Sequence, residues 1–124
     1  MFKEADVIYS YTRVQAIEDG VLIDVSETAK EAGIKYPVAL TAAVWGGIVE
    51  PDEVAKSHGE SIAGRLWDLL FMFRVAAKRN SGDYLIYDMI ATKDGSYHIH
   101  KLKAICGPGD TPEPVITIML PNED

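Results

Sequence analysis

Residues 60–79, ESIAGRLWDLLFMFRVAAKR, constrain this chain more than any other stretch. Ile62, Leu66, Leu69, Leu70 and Phe73 recur at three- and four-residue steps, which stack side chains on one face of a helix. Ala63, Trp67, Phe71 and Val75 fill the flank. The spacing predicts a helix buried on most sides. Such a helix needs a sheet or other helices to cover it. Arg65, Asp68 and Arg74 interrupt the apolar run, so it does not read as a membrane span.

At 124 residues the chain has the length of one domain with one hydrophobic core. The N-terminal MFKEADVIYS lacks the basic region, apolar run and small-residue cleavage site of a secretory signal, so a cytoplasmic location is expected. The single cysteine, Cys106, ends a β-like run and reads as a buried or half-buried thiol, not a nucleophile. The net charge of −7 is uneven: residues 1–62 hold eleven acids and five bases, residues 63–124 eight acids and seven bases. Such a field repels a phosphate backbone, which disfavours direct nucleic-acid binding. A protein partner with a basic surface suits it. Glu18, Asp19, Glu27 and Glu31 are the candidate contacts, against the plainer reading of a solvated acidic exterior.

Residues 4–9 (EADVIY) read as a strand, and Thr12 and Gln15 as a capping box before a short helix stopped by Asp19-Gly20. VLIDV (21–25) reads as a strand. A helix over SETAKEA follows, capped by Asp24 or Ser26 and ended by Gly33. VALTAAVW, after Tyr36-Pro37, is compatible with a helix from Pro37 or with a strand followed by a helix capped by Thr41, and the helix is favoured. Gly46-Gly47 weakens its end, and residues 50–59 read as loop. Beyond Asn80-Ser81-Gly82, DYLIYDMIAT and YHIHKLKAIC form a hairpin around Asp94-Gly95. CGPGDTPEP reads as loop, and VITIML (115–120) as a strand covered on both faces. The expected fold is α+β: an antiparallel sheet of three or more strands packed on one long buried helix, with small N-terminal helices at an edge.

Signals for chemistry are sparse. His98 and His100 share a strand face, half of a metal site that His58 or Asp88 would have to complete; rim residues are the plainer account, and no metal or cofactor is expected. Gly107-Pro108-Gly109-Asp110 lacks the following helix and lysine of a phosphate loop, so it reads as a wide turn. No nucleophile elbow or Ser-x-x-Lys motif occurs. Tyr9, Tyr11, Thr12 and Arg13 form a polar-aromatic cluster. A pocket of Tyr11, Arg13, Asp24 and Trp67 would let Arg13 clamp an anion. Lys101 and Lys103, with Tyr97 and Ile99, form a strip that either meets an acidic partner or guards a strand edge.

Three stretches, YTRVQAIEDGVLIDVSETAKEAGIKYPVALTAAVW, GRLWDLLFMFRVAAKR and LKAICGPGDTPEPVITIMLPNED, together resemble an uncharacterised family of short proteins encoded in bacterial genomes, plasmids and phages. The resemblance covers most of the chain and is densest at Gly20–Val25, Gly64–Asp68 and Gly107–Asp110. It implies a context: accessory proteins of mobile elements that bind host machinery. The expected function is therefore a non-enzymatic acidic protein that binds a host protein, with inhibition of CRISPR or restriction machinery as one form. The alternatives are a ligand-binding or enzymatic domain around Arg13, and a homodimer joined at a sheet edge.

Overall fold

A computed structural model describes residues 11–124. The expected strand over 4–9, and Tyr9, lie outside the described residues. The described chain is α+β, with a five-stranded mixed sheet in the order β1-β2-β5-β4-β3. Its strands are β1 (Leu22–Asp24), β2 (Val38–Thr41), β3 (Tyr84–Lys93), β4 (Ser96–Pro108) and β5 (Pro114–Met119). All neighbours run antiparallel except β2 and β5, which are parallel.

Helix α1 (Arg13–Glu18) starts as its sequence dictates: Thr12 Oγ1 accepts from the Gln15 amide at 3.0 Å, and Gln15 Oε1 accepts from the Thr12 amide at 2.9 Å. Gly20, at φ 76°, turns the chain into β1. Helix α2 (Ser26–Glu31) has no side-chain cap on its own first turn. Instead Asp24 Oδ1 accepts from the Ser26 amide and hydroxyl, and Ser26 Oγ accepts from the Val38 amide at 3.1 Å. The expected cap residues thus join β1, α2 and β2 together.

The favoured helix from Pro37 is overturned. Val38–Thr41 forms strand β2, and Thr41 then caps a short helix α3 (Ala42–Val44) through its hydroxyl. Val38, Ala39 and Leu40 are all fully buried between β1 and β5, so a covered sheet position outweighs the alanine-rich run's helical propensity. Gly46 and Gly47 sit inside a π-helical turn, Trp45–Val49, which continues α3. The expected loop over 50–59 contains a helix, α4 (Glu53–Ser57), whose Asp52 cap accepts from the Ala55 amide at 2.9 Å.

The long helix, α5 (Ile62–Ala77), is capped by Ser61. Leu66, Leu69, Leu70 and Phe73 pack on Leu102, Ala104, Ile116 and Ile118 of the sheet and on Ala29 and Ala32 of the α2 segment. Burial of each large side chain contributes roughly 1.5–3 kcal/mol. The helix is buried on one stripe only, contrary to the expectation of burial on most sides: Ile62, Trp67, Phe71 and Met72 face outward. The β3–β4 hairpin turns at Asp94-Gly95, both at positive φ (53° and 81°). β4 runs on to Pro108, into the expected loop, and β5 is covered between β2 and β4.

Candidate functional site

Tyr11 and Arg13 line a broad groove with Asp110, Thr117 and Met119, but both terminal nitrogens of Arg13 already donate within the protein. Its guanidinium donates to Thr117 Oγ1 at 2.6 Å and to the Ile116 carbonyl at 2.8 Å. Burial pulls its pKa below the usual range, opposed by the charges of Asp24 and Asp110. Asp110 takes the amides of Arg13 and Val14 at 2.7 and 3.0 Å, so the turn after β4 caps α1 from across the chain. Tyr11 donates to Asp19 Oδ2 at 2.6 Å. Trp67 is on the outer side of α5 and outside this groove, and Asp24 is spent on Ser26. The four residues do not converge on one cavity.

The acidic residues also divide. Arg13 reaches Thr117, on the opposite side of β5 from the core residues Ile116 and Ile118, so α1 lies on the sheet face away from α5. α2 packs on the α5 side through Ala29. Glu18 and Asp19 therefore sit on one face, Glu27 and Glu31 on the other, all exposed. Compensation is small: among the described residues three ion pairs occur, Lys56–Glu53, Arg65–Glu60 and Lys101–Asp88, against 17 acids.

An apolar surface that includes Phe71, expected on the buried flank of the helix, lies open along the β3 edge. β3 pairs with β4 on one side and, among the described residues, ends the sheet on the other. Around that edge, Phe71 and Met72 of α5 and, from the sheet face away from α5, Ile90 and Ile99 of the hairpin line one depression, which Asp68 and Asp88 also line. A second depression, reached past the shared Met72 and Asp88, continues to Ile86 and Val75. Among Phe71, Met72, Ile86, Ile90 and Ile99 exposure runs from 40% at Met72 to 67% at Ile99, and Trp67, one turn before Phe71, is 41% exposed. Asp68 has no cationic partner among the described residues. Lys101 is held by Asp88 at 3.1 Å, directly across the β3–β4 ladder.

Arg65, 6% exposed, is a second feature that sequence reasoning missed, treating it only as a charge within an apolar run. It donates to Glu60 Oε1, to the Ile48 carbonyl, and to the carbonyl and hydroxyl of Thr92, at 2.8–3.0 Å. Thr92 in turn donates to Glu60 Oε2 at 2.6 Å. That bond and the Arg65 charge hold the Glu60 carboxyl below the usual range, against burial. Every arm of the guanidinium is satisfied, which ties α5 to the π-helical turn and to β3; the role is structural.

His98 and His100 point to the same side, with ring centroids 6.4 Å apart. His58 ends α4, and no group of three or more potential ligands suited to a metal occurs among the described residues. His100 is half-buried and its Nε2 has no hydrogen-bond partner; desolvation lowers its pKa. No helix among the described residues is long and apolar enough to cross a membrane.

Fold and surface thus define an α+β fold with a mixed sheet that β1 and β3 end among the described residues, and an apolar groove beside the β3 edge. The chain belongs to a family of unknown function, DUF6573, whose model matches residues 1–124. No curated protein and no solved structure matches it.

Proposed function

We propose that this is a non-enzymatic binding protein that takes a protein segment of mixed apolar and basic character along the β3 edge and the outer flank of α5. The observation that carries this reading is the exposure of Phe71, Met72, Ile90 and Ile99 together beside a strand edge that is unpaired among the described residues. An extended segment added to such an edge gains main-chain hydrogen bonds, and its alternate side chains fall into the flanking depressions. Charge specifies the partner: Asp68 borders the groove without a cation, and the chain carries −7. A second copy pairing edge to edge is the weaker occupant, because it brings two chains of that charge together.

In its narrower form the protein is a cytoplasmic accessory protein of a plasmid or phage. Its partner is then CRISPR or restriction machinery whose basic nucleic-acid site the acidic exterior occupies. Charge alone supports that narrowing. The test captures proteins from lysate of the encoding cell with the wild type and with Phe71→Glu/Ile99→Glu, eluting both in salt steps. A protein retained by the wild type, released by salt and lost with the double variant supports the reading. Equal capture by both overturns it, as does a dimer in sedimentation that the double variant abolishes.

A further inference from the structure

At the far end of α5 from Arg65, the turn after α2, the last turns of α5 and the start of the β3–β4 ladder leave a cavity of about 450 Å³. Its floor is apolar: Ile34, Phe73, Leu85 and Ile116 are core or core-packed residues. Its rim carries Lys35, Arg74 and Lys78, three cations in a chain that is acidic overall, with Asp83 the one acid among them. No hydrogen bond or ion pair from the side chains of these three cations occurs among the described residues. Arg74 is half-buried and lies flat against Gly33: a Cβ there would stand 3.0 Å from its Nε and 3.1 Å from its Cζ. Gly33, at φ 91°, both turns the chain out of α2 and leaves that guanidinium its place at the cavity wall. The helix C-terminus accounts for cations in this turn of α5, but not for Lys35, which comes from another element, nor for the apolar hollow they surround.

We propose that this cavity binds an amphipathic carboxylate, a molecule with a hydrocarbon body and one terminal carboxyl group such as a medium-chain fatty acid. The size and the apolar lining with few polar groups are those of a small-molecule site. The hydrocarbon lies on Ile34, Phe73, Leu85 and Ile116. The carboxylate meets the Arg74 guanidinium, whose planar fork matches it, with Lys35 and Lys78 adding charge. A nucleic acid or other polyanion does not suit the place, since the hollow is small and the surrounding chain repels extended negative charge.

Cys106 lines the same cavity and is the only cysteine, so its alkylation by neutral iodoacetamide reports occupancy. Decanoate below its micellar concentration slows that reaction saturably, and 1-decanol does so far less. Arg74→Gln raises the decanoate concentration for half protection by about ten-fold or more, the loss expected for a hydrogen-bonded charge. Lys35→Gln/Lys78→Gln, two exposed positions, weakens protection without moving the melting temperature, and decides the matter if Arg74→Gln fails to fold. Absence of protection by decanoate, equal protection by decanol, or unchanged protection in the folded variants overturns the proposal. Phe71→Glu/Ile99→Glu leaves decanoate protection intact, which separates this site from the partner groove.

Discussion

Arg65 and His100 show how single side chains acquire consequences that their neighbours in sequence do not reveal. Arg65 joins residues up to 27 positions away, and each of its three side-chain nitrogens donates inside the protein. Arg65→Ala takes the cation from Glu60 Oε1 and from two carbonyls, and is expected to cost about 3–5 kcal/mol, read from urea unfolding at neutral pH. His100 acts through pH. Its folded pKa lies below the ordinary 6.5, so the unfolded chain takes up a proton that the folded chain resists. Stability is then full above 6.5 and declines as pH falls from there toward the folded value. Asp52 and Glu60 act lower: their carboxyls are held below 3.8 and 4.5 by hydrogen bonds, so their share is lost in more acid solution. His100→Gln is expected to flatten the decline between about pH 6.5 and 5 in melting scans, and an unchanged slope would place the acid sensitivity elsewhere.

Helices and strands were legible where their signals are local. The Thr12–Gln15 box, the Asp94-Gly95 turn and the periodicity of α5 each act within a few residues, and each element stands where its residues indicate. Residues 38–41 were not, because a short apolar run reads equally as helix or strand until pairing with β1 and β5 decides it. Helix α4 had a readable start: Asp52 as cap, Glu53 in the first turn, Lys56 in the last and Gly59 beyond at φ 88°. The cap that Asp110 supplies to α1 had no such signal, since 96 residues separate it from Val14. Asp110→Ala is expected to destabilise the fold by about 1 kcal/mol and to loosen α1 selectively, seen as faster amide exchange at residues 13–18 than in β4.

Across the whole molecule, the acidic character survives folding as a surface with few internal cations, spread over both sheet faces rather than gathered at one patch. Partner binding through the β3 groove is therefore expected to gain from this field at long range and from Asp68 at contact. Charge reversal at Glu18, Asp19, Glu27 and Glu31 should lower the association rate and its salt dependence while changing dissociation little; Asp68→Lys should speed dissociation. Stopped-flow binding with an identified partner at two salt concentrations checks both, and a response confined to dissociation for the four-site variant would remove the steering role.

The amino-acid sequence by itself determined the α+β class, the long helix, the hairpin, the acidic charge and the absence of familiar catalytic motifs, since these follow from local spacing and composition. Tertiary structure alone decided that Arg13 is committed to β5, that Ile62, Trp67, Phe71 and Met72 of α5 remain outside, and that Lys35, Arg74 and Lys78 surround one hollow. The physical reason is common to all three: a side chain's partners are set by which strands pair and which helix face is covered. Those choices join residues far apart in the chain, where periodicity carries no information.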